Sequence, residues 1–451
     1  MSTEPRKVVT RFAPSPTGFL HAGAYRTAIF SYLFARHHKG TFVLRIEDTD
    51  KLRSKKEYEE NIIDSLGWLG LEYDVFVRQS ENMERHKALL LQLIAEEKAY
   101  ISKEEAKDGS GTMREIVRFK NPNIDVTFTD EIKGDITMST SDLGDFVIAK
   151  NINEPLFHLA VVVDDFDEGV THVIRGEDHV SNTPRQILIQ RAIGAPTPIY
   201  AHLPLVLGID KQKLSKRRGA PALTEYREKG YLPGAILNMV TLVGWNPGTT
   251  EELFSKTNLI EKFSLDRVQK SAAVFNPEKL DWVNKEYIKL MSPDARLAHL
   301  SSFMPEEITT LPHYQEMLGK IAPLLFERIS HFAQIRELAS TDDIQYFFLT
   351  PTYDKKNLFW KNETDTGKLR TRLSEVHNLL SSVDEVAYTH ANLKSVVWDY
   401  AEKEGRGAVL WPTRYALSGR EKSPDPFQLA EILGKAETLR RLEAAIALYH
   451  E

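Results

Sequence analysis

The N-terminal part of the chain alternates short apolar runs with a one-sided helical pattern. Residues 7–12 (KVVTRF) predict a buried strand. From His21 onward, apolar side chains recur at the spacing of one helix face, at Tyr25, Ala28, Ile29, Tyr32 and Leu33. Gly40 marks the end of this helix, and residues 41–47 (TFVLRIE) predict a second strand. A strand, a helix and a strand in succession form a βαβ unit, whose two strands are parallel.

The middle of the chain interrupts this alternation. Helical periodicity predicts helices at residues 55–69 and 82–98. Residues 101–155 differ, because short strand-like pieces (EIVRFK, DVTFT and DFVIAK) are separated by Gly, Asp, Asn and Ser. This composition predicts a small α+β insert.

The βα alternation then returns. Residues 171–178 (THVIRGED) predict a strand, residues 182–193 a helix opened by Ser181 or Asn182, and residues 199–207 (IYAHLPLVL) a further strand. Beyond this point the chain is mainly helical in pattern. We therefore expect an α/β protein, in which a doubly wound, Rossmann-like parallel sheet is split by an α+β insert and followed by an all-helical C-terminal region.

Composition narrows the class of protein. A chain of 451 residues with 42% hydrophobic and 27% charged residues is typical of a globular protein of two to four domains. It has no cysteine, which excludes disulfides and thiolate zinc sites. No apolar run is long enough to span a bilayer, and the N-terminus lacks the apolar core of a signal peptide, so we expect a cytoplasmic protein. The net charge of −6 argues against a uniformly basic nucleic-acid binder but not against a local basic face.

The first candidate site is the stretch RFAPSPTGFLHAGA, from Arg11 to Ala24. It lies at the carboxyl end of the first predicted strand, where doubly wound sheets bind ligands. Its two prolines stiffen the loop, Thr17 and Gly18 allow close approach of backbone, and the helix that follows points its N-terminus at the loop, which suits phosphate. By itself, the loop fits a proline-rich turn with a capping histidine equally well.

The second candidate site is KLSKRRG, from Lys213 to Gly219. Such a cationic loop is able to stabilise the charge that develops as pyrophosphate leaves a nucleotide. More often, a run of basic residues like this one is simply a solvent-exposed loop. The chain has no G-x-x-x-x-G-K-[ST] motif, so a P-loop route to ATP is absent.

The two loops together are specific. SPTG-x-x-H-x-G after the first strand and K-L-S-K-R after the last sheet strand resemble the signatures of class I aminoacyl-tRNA synthetases. LRIEDTD, VVVDD, HVIRGEDH-x-x-NTPRQ, LTEYREKGYLPGAILN and the C-terminal SGREKSPDPFQLAEILGK resemble the bacterial-type glutamyl-tRNA synthetase family. The resemblance runs from Val8 to the end of the chain. It implies ATP-dependent ligation of L-glutamate to tRNA-Glu through a glutamyl-adenylate.

The resemblance implies a role for each candidate residue. Arginine pairs with carboxylates through its planar fork, and glutamate carries two carboxylates and one ammonium. The implied glutamate-binding set is Arg11, Ala13, Ser15, Glu47, Phe157 and Arg175. The implied ATP-binding set is Ser15, Thr17, Gly18, His21, Gly23, Asp178, Lys213, Leu214, Ser215, Lys216 and Arg217. Within it, His21, Lys213 and Lys216 are the catalytic candidates, and Mg²⁺ is expected to accompany ATP without a dedicated protein cage.

Three departures from the family pattern matter. The first signature ends in Ala24 instead of the final histidine of the general class I motif, which glutamate enzymes often lack. Leu156 and Phe157 stand where family members commonly have Thr-Tyr, so a phenol hydroxyl that holds substrate is lost. The insert is short around residues 102–114, where some relatives carry a cysteine zinc knuckle, and zinc is not expected.

The resemblance also implies a division of labour along the chain. The expected domains are a Rossmann-like catalytic domain (1–85 and 158–208), an inserted domain for the tRNA acceptor end (86–157), a stem-contact region with the KLSKR loop (209–290) and a helical anticodon-binding domain (291–451). The expected partners are tRNA-Glu and L-glutamate, with no membrane, and the family is expected to act as a monomer. The sequence leaves open whether tRNA-Gln is charged too, and which residues contact RNA.

Other functions fit less well. Glutaminyl-tRNA synthetases tend to have a C-terminal β-barrel and a Pro-Glu-Pro-Asn-type first loop, and neither is seen. A short paralogue that glutamylates a modified tRNA base lacks the C-terminal third that this chain has. A catalytically inactive RNA-binding protein on the same fold remains an alternative, because fold does not imply function, but it would be expected to lose His21, Lys213 or Lys216.

Overall fold

A computed structural model describes residues 7–20, 22–105, 112–214, 221–341, 343–352 and 354–449. His21 and residues 215–217, which the sequence analysis singled out, lie outside the described residues. The chain divides into two compact units, the first ending at Tyr287 and the second beginning at Ile288.

The first unit contains all the strands of the described chain. They are β1 (Val9–Phe12), β2 (Thr41–Ile46), β3 (Val75–Arg78), β4 (Ala99–Glu105), β5 (Met113–Phe119), β6 (Asp125–Asp130), β7 (Gly134–Ser139), β8 (Phe146–Asn151), β9 (Glu154–Pro155), β10 (His172–Gly176), β11 (Ile199–Leu203), β12 (Val206–Leu207) and β13 (Ala273–Val274). Its helices are α1 (Ala22–His37), α2 (Lys56–Leu69), α3 (Met83–Ala95), α4 (Phe157–Asp167), α5 (Thr183–Ile193), α6 (Leu223–Glu228), α7 (Pro233–Leu242) and α8 (Lys256–Lys262), with α9 (Pro277–Leu290) at its end.

A seven-stranded sheet forms the centre of this unit, in the order β3-β2-β1-β10-β11-β6-β7. All neighbours are parallel except β6 and β7, which form an antiparallel hairpin. The strand order reverses between β1 and β10, as in a doubly wound fold. The predicted Rossmann-like sheet split by an insert is therefore confirmed.

Helix α1 packs on this sheet through the predicted face. Tyr25, Ala28, Ile29, Tyr32 and Leu33 are all buried in the core that the helix shares with β1 and β2. After the helix ends, the backbone N–H of Gly40 donates to the carbonyl of Ala35. A Cβ on Gly40 would lie 2.3 Å from the carbonyl oxygen of Val8, so only glycine permits the turn into β2.

The predicted insert forms strands in two sheets. The strands β4, β5, β8 and β9 make a separate antiparallel sheet, whereas the β6–β7 hairpin extends the central sheet. The hairpin is joined to β11 through the pair Tyr200 and Asp130. The domain boundaries drawn from the sequence stay a prediction.

Some local predictions were wrong in detail. Pro204 has no backbone N–H, and the predicted strand at 199–207 is divided there into β11 and β12. Asn182 is the N-cap residue of α5, as predicted, but its side chain makes no capping hydrogen bond, because a 3₁₀ turn over Glu177–Asn182 leads directly into the helix. Helix α4 was not predicted, since its three consecutive valines favour a strand by propensity.

The second unit is helical, as predicted. Its helices are α10 (Pro293–Ser302), α11 (Glu306–Thr309), α12 (Tyr314–Arg328), α13 (Gln334–Ser340), α14 (Thr366–Ser381), α15 (His390–Glu404), α16 (Arg406–Ser418), α17 (Pro426–Leu433) and α18 (Lys435–Ala447). No strand occurs among its described residues. Throughout the part of the chain that the structure describes, no helix is both long and apolar enough to cross a membrane.

Candidate active site

A cavity of about 580 Å³ opens at the carboxyl edge of the central sheet. It is lined by the ends of β1, β10 and β11, by the start of α1 and by the segment after β12. Every described residue of the two predicted binding sets lines it, namely Arg11, Ala13, Ser15, Thr17, Gly18, Gly23, Glu47, Phe157, Arg175, Asp178, Lys213 and Leu214. The structure therefore brings together residues from distant parts of the sequence, from Arg11 to Leu214.

The loop after β1 is held in place by backbone hydrogen bonds. The carbonyl of Pro14 accepts from the N–H of Glu47 (3.0 Å), and that of Pro16 accepts from the N–H of Lys55 (3.0 Å). Thr17 N–H donates to the carbonyl of Ser15 (2.8 Å), which tightens the turn. Ser15 and Thr17 are exposed at the cavity, and α1 begins just beyond them with no acidic residue in its first turn. The positive end of the helix dipole is thus left available to an anion.

Arg11 reaches the cavity with its charge already paired. Its Nε lies 3.1 Å from Oδ1 of Asp165 on α4, and its Nη2 lies 3.5 Å from Oδ2. Both side chains are buried. Burial raises the pKa of Asp165, but Arg11 and Arg45 outweigh this effect and hold it below its usual range.

Behind the cavity, Arg45 on β2 is fully buried among four carboxylates. Its nitrogens lie 2.8 Å from Asp165, 2.7 Å from Glu168, 3.5 Å from Glu47 and 3.9 Å from Asp164. Asp165 is also compensated by Arg11, and Asp164 lies beside His86. The excess of buried negative charge therefore falls on Glu47 and Glu168 and favours their protonated forms.

Glu47 is the carboxylate of this cluster that faces the cavity. Burial raises its pKa to about 7, against the opposing effects of Arg45 and Arg11. The same cause raises the pKa of Glu168 to about 7. A carboxylate poised near neutrality and lining a cavity is suited to pair with an incoming ammonium group.

Arg175 on β10 is the second arginine of the cavity, and it differs from Arg11. Its guanidinium donates to neutral acceptors: Nε to His202 (3.1 Å), Nη1 to Gln186 (2.8 Å) and Nη2 to Thr183 (2.8 Å). No carboxylate of the described residues lies within 4.0 Å of it. Burial lowers its pKa to about 10, so it is still a cation at neutral pH. The cavity therefore holds a buried positive charge that an anionic ligand is able to neutralise.

Asp178 and Lys213 occupy the rim. Asp178 is exposed. Its Oδ1 lies so close to Gly176 that a Cβ at position 176 would be only 2.4 Å from this oxygen. Lys213 pairs with Leu207 in an isolated antiparallel bridge, and the N–H of Leu214 donates to the carbonyl of Val206. These contacts bring the start of the KLSKR stretch to the cavity. Its remaining residues, like His21, lie outside the described residues.

Sequence reasoning missed several side chains. Arg26 on α1 is buried and lines the cavity, where its Nη1 donates to the carbonyl of Pro204 (2.6 Å). Its Nε and Nη2 find no acceptor among the described residues. A charged residue inside an otherwise apolar helix pattern was the available signal. Asp164 and Asp165 belong to the quoted VVVDD stretch, but no role was assigned to them.

The chain is similar to known proteins over nearly its whole length. A family model described as "tRNA synthetases class I (E and Q), catalytic domain" matches residues 7–108 and 101–282, and one described as "Anticodon binding domain" matches residues 295–446. The glutamate–tRNA ligase of Geotalea uraniireducens is 40% identical over 98% of both chains. That of Nitrosomonas europaea is 39% identical over 98% of this chain and 99% of its own.

Solved structures agree with these sequence relatives. The crystal structure of a glutamate tRNA ligase from Elizabethkingia meningosepticum, in complex with its amino acid, has a TM-score of 0.86 and 32% identity, and covers 98% of this chain and 99% of its own. Glutamate-tRNA synthetase from Elizabethkingia anophelis gives a TM-score of 0.83 at 31% identity, over 98% of this chain and 100% of its own.

Proposed function

The chain belongs to the glutamate–tRNA ligase family of class I tRNA synthetases, and from this membership we propose how the residues around the cavity carry out the reaction. The protein ligates L-glutamate to tRNA-Glu in translation. The cavity supports the assignment of residues, because every described candidate lines it. Among them, Arg175 has no carboxylate partner among the described residues.

Glutamate binds between the two arginines and Glu47. Arg175 pairs with one of its carboxylates, since its charge is the one left uncompensated by the described residues. Arg11 is oriented by Asp165 and by the carbonyl of Ile174, which accepts from its Nη1 (3.5 Å), and it pairs with the other carboxylate. Glu47 accepts the α-ammonium. Ala13 and Ser15 line the cavity between Arg11 and the turn, and Phe157 provides an apolar contact at its mouth.

ATP binds along the loop after β1 and the start of α1. Ser15, Thr17 and Gly18 bring backbone close to the nucleotide, Gly23 leaves space beside the helix, and the helix N-terminus faces the phosphates. Asp178 at the rim contacts the ribose or adenine. His21, Lys213 and Lys216 provide cationic or hydrogen-bonding contacts to the phosphates, with Leu214, Ser215 and Arg217 beside them.

Mg²⁺ accompanies ATP in this proposal. The described residues contain no cluster of three or more His, Asp or Glu side chains that would hold a metal ion. A Mg²⁺ ion bound mainly through phosphate oxygens and water fits this site, because Mg²⁺ usually keeps several waters. The ion would neutralise phosphate charge, and the residues of the cavity position the reactants.

The reaction proceeds in two steps. An oxygen of the glutamate α-carboxylate attacks the α-phosphorus of ATP, the bond to the β-phosphate bridging oxygen breaks, and pyrophosphate leaves with the charge that the lysines stabilise. A hydroxyl of the terminal tRNA ribose then attacks the glutamyl carbonyl carbon, and AMP leaves. No side chain needs to form a covalent bond, so positioning and charge neutralisation account for catalysis.

The second unit provides the tRNA contact through its anticodon-binding domain. We propose that the protein acts as a monomer in the cytoplasm. Arg414 of this unit is a poor candidate for base recognition, because it is half-buried, donates to the carbonyl of Glu421 and lies over the ring of Trp411.

Glutamate-dependent exchange of pyrophosphate into ATP tests the proposal directly. The assay is run with and without tRNA-Glu, and with glutamine in place of glutamate. Exchange that occurs with glutamate but not with glutamine supports the assignment. A requirement for tRNA would show that tRNA completes the site. Absence of exchange under every condition would refute the enzyme and favour an RNA-binding protein on the same fold.

A further inference from the structure

A chain of three buried side chains runs from the central sheet to the cavity. The first is Asp130 at the end of β6, the second is His202 on β11, and the third is Arg175 on β10. Asp130 and His202 are 1% and 0% exposed and do not line the cavity, whereas Arg175 does. Nothing in the proposed reaction uses Asp130 or His202 directly.

Asp130 determines which ring nitrogen of His202 carries hydrogen. Its Oδ2 lies 2.6 Å from Nδ1 of His202 and 3.0 Å from the backbone nitrogen of the same residue. An ionised carboxylate only accepts hydrogen bonds, so Nδ1 must be the donor. Although burial raises the pKa of Asp130, the bonds from His202 and from the N–H of Lys133 outweigh it and keep this carboxyl ionised.

The tautomer of His202 in turn determines how Arg175 is held. With hydrogen on Nδ1, the Nε2 atom of a neutral imidazole is an acceptor, and it lies 3.1 Å from Nε of Arg175. Burial and the nearby Arg175 lower the pKa of His202, against the effect of Asp130, so the ring stays neutral. Tyr200 stacks on His202 and lies beneath the guanidinium of Arg175, which restricts both groups further.

We propose that Asp130 and His202 are positioning residues, which orient the guanidinium of Arg175 towards the side-chain carboxylate of glutamate without neutralising its charge. The inference rests on the proposed function, because it takes Arg175 as the glutamate-binding arginine. Asp130 acts through an uncharged ring, so the arginine is aligned by a carboxylate that it does not touch.

The contrast with Arg11 supports this inference. Arg11 is aligned by direct contact with Asp165, which compensates its charge. The same device at Arg175 would leave little positive charge for the ligand, and a neutral amide such as glutamine would then compete more easily. A relay through the neutral ring of His202 aligns Arg175 and leaves its positive charge uncompensated. That charge favours a ligand carboxylate over a neutral amide.

The location of Asp130 also needs an explanation beyond packing. It ends β6, and its Oδ1 accepts from the N–H groups of Ile132 and Lys133 in the turn to β7. This hairpin comes from the segment that interrupts the central sheet, yet it joins the sheet beside β11 through Tyr200 and Asp130. The relay thus couples the inserted segment to the amino-acid site.

Three variants separate alignment from packing. Asp130→Asn replaces one carboxylate oxygen by an amide NH₂ group, which donates hydrogen bonds and cannot accept them. One of the two groups that Asp130 now accepts from, the ring of His202 or the turn to β7, therefore loses its acceptor, and hydrogen is no longer held on Nδ1 of His202. His202→Phe keeps the ring stacked on Tyr200 but removes both nitrogens. His202→Gln is the matched control, since its side-chain oxygen is able to replace Nε2 as the acceptor for Arg175.

The kinetic readout is the KM for glutamate against the KM for ATP in pyrophosphate exchange. We expect Asp130→Asn and His202→Phe to raise the KM for glutamate by about tenfold to a hundredfold, with the KM for ATP unchanged. The same two variants should discriminate less well between glutamate and glutamine. His202→Gln should have a KM for glutamate close to that of the wild type. Equal losses in His202→Gln and His202→Phe, or an unchanged KM for glutamate in all three, would overturn the relay.

A spectroscopic measurement on the wild type does not depend on activity, and it needs only the control variant His202→Gln to assign the signals. In protein with ¹⁵N-labelled histidine, the signals lost in His202→Gln identify the His202 ring. A protonated Nδ1 with a bare Nε2 supports the relay, and the opposite tautomer or an imidazolium refutes it. If the wild type shows no glutamate-dependent exchange, the proposed function fails, whereas this ring spectrum still decides the hydrogen-bond relay.

Discussion

The guanidinium of Arg11 is clamped by the carboxylate of Asp165, with Nε 3.1 Å from Oδ1 and both side chains buried. The same carboxylate lies 2.8 Å from Nη2 of Arg45, which is completely buried. One acidic residue on α4 therefore compensates two arginines, one from β1 and one from β2. Its removal would leave Arg11 without its carboxylate partner, whereas Arg45 would keep Glu168, Glu47 and Asp164 around it.

Replacing Asp165 by asparagine tests this dependence. Breaking a buried ion pair by removing one partner costs about 3–5 kcal/mol of unfolding free energy, because the remaining charge stays buried and unpaired. We expect Asp165→Asn to lose about this amount, and to bind glutamate more weakly because Arg11 is no longer aligned. Urea unfolding of the unit ending at Tyr287, monitored separately from the helical unit, provides the measurement.

Asp167→Asn is a matched control on the same helix. Asp167 pairs with Arg85 at 3.1 Å, but both side chains are partly exposed. A solvated pair of this kind contributes less than about 1 kcal/mol. Similar losses in the two variants would show that burial of Asp165 is not the cause.

The pH dependence of glutamate binding should follow Glu47. In the free protein burial raises its pKa to about 7, so below this pH the carboxyl is increasingly protonated and cannot pair with the ammonium of glutamate. A bound ammonium stabilises the ionised form and lowers the pKa, so binding releases a proton near neutral pH. We expect affinity to fall by up to about tenfold per unit as pH drops below 7. Calorimetric titration between buffers of different ionisation enthalpy measures the proton release.

Two variants assign that titration. Glu47→Gln should bind glutamate weakly and with no pH dependence in this range. Glu168 has the same raised pKa of about 7 but does not line the cavity, so Glu168→Gln should keep the profile of the wild type. If the pH dependence of binding disappears in Glu168→Gln instead, the titrating group is in the buried cluster around Arg45 and is not Glu47.

The sequence was sufficient for the elements whose pattern is local. The buried face of α1 and the strands on either side of it follow from apolar spacing. Arg11 and Glu47 were implied by the resemblance to the synthetase family, and both line the cavity at the carboxyl edge of the sheet. The helices and strands need only short-range periodicity, whereas the roles of the site residues depend on the family resemblance.

What could not be predicted depends on contacts between distant segments. Asp130 and His202 are 72 positions apart, and they meet only because the β6–β7 hairpin joins the central sheet instead of the inserted one. Helix α4 contains three valines, whose branched side chains favour strands, and tertiary packing overrides that preference. The buried carboxylates on α4 were therefore visible as a stretch of sequence but not as a site.

Restoring a phenol at position 157 should tighten glutamate binding. The ring of Phe157 lines the mouth of the cavity and packs against the rings of His158 and His179. A hydroxyl there would add a hydrogen bond of about 0.5–1.5 kcal/mol, so Phe157→Tyr should lower the KM for glutamate by about twofold to tenfold. Phe157→Leu, which adds no hydroxyl, serves as the control. An unchanged KM in Phe157→Tyr would show that the hydroxyl finds no partner in the cavity.

Lys216 is expected to act on the leaving pyrophosphate rather than on binding. Removing one group that stabilises developing charge typically lowers the rate of a chemical step by about a hundredfold to a thousandfold. Lys216→Ala should therefore slow glutamate activation, measured by rapid quench, and leave the affinities for glutamate and tRNA almost unchanged. Lys211→Asn removes an exposed cation nearby, and asparagine tolerates the positive φ of 58° at that position. Equal activation rates in the two variants would remove Lys216 from the catalytic set.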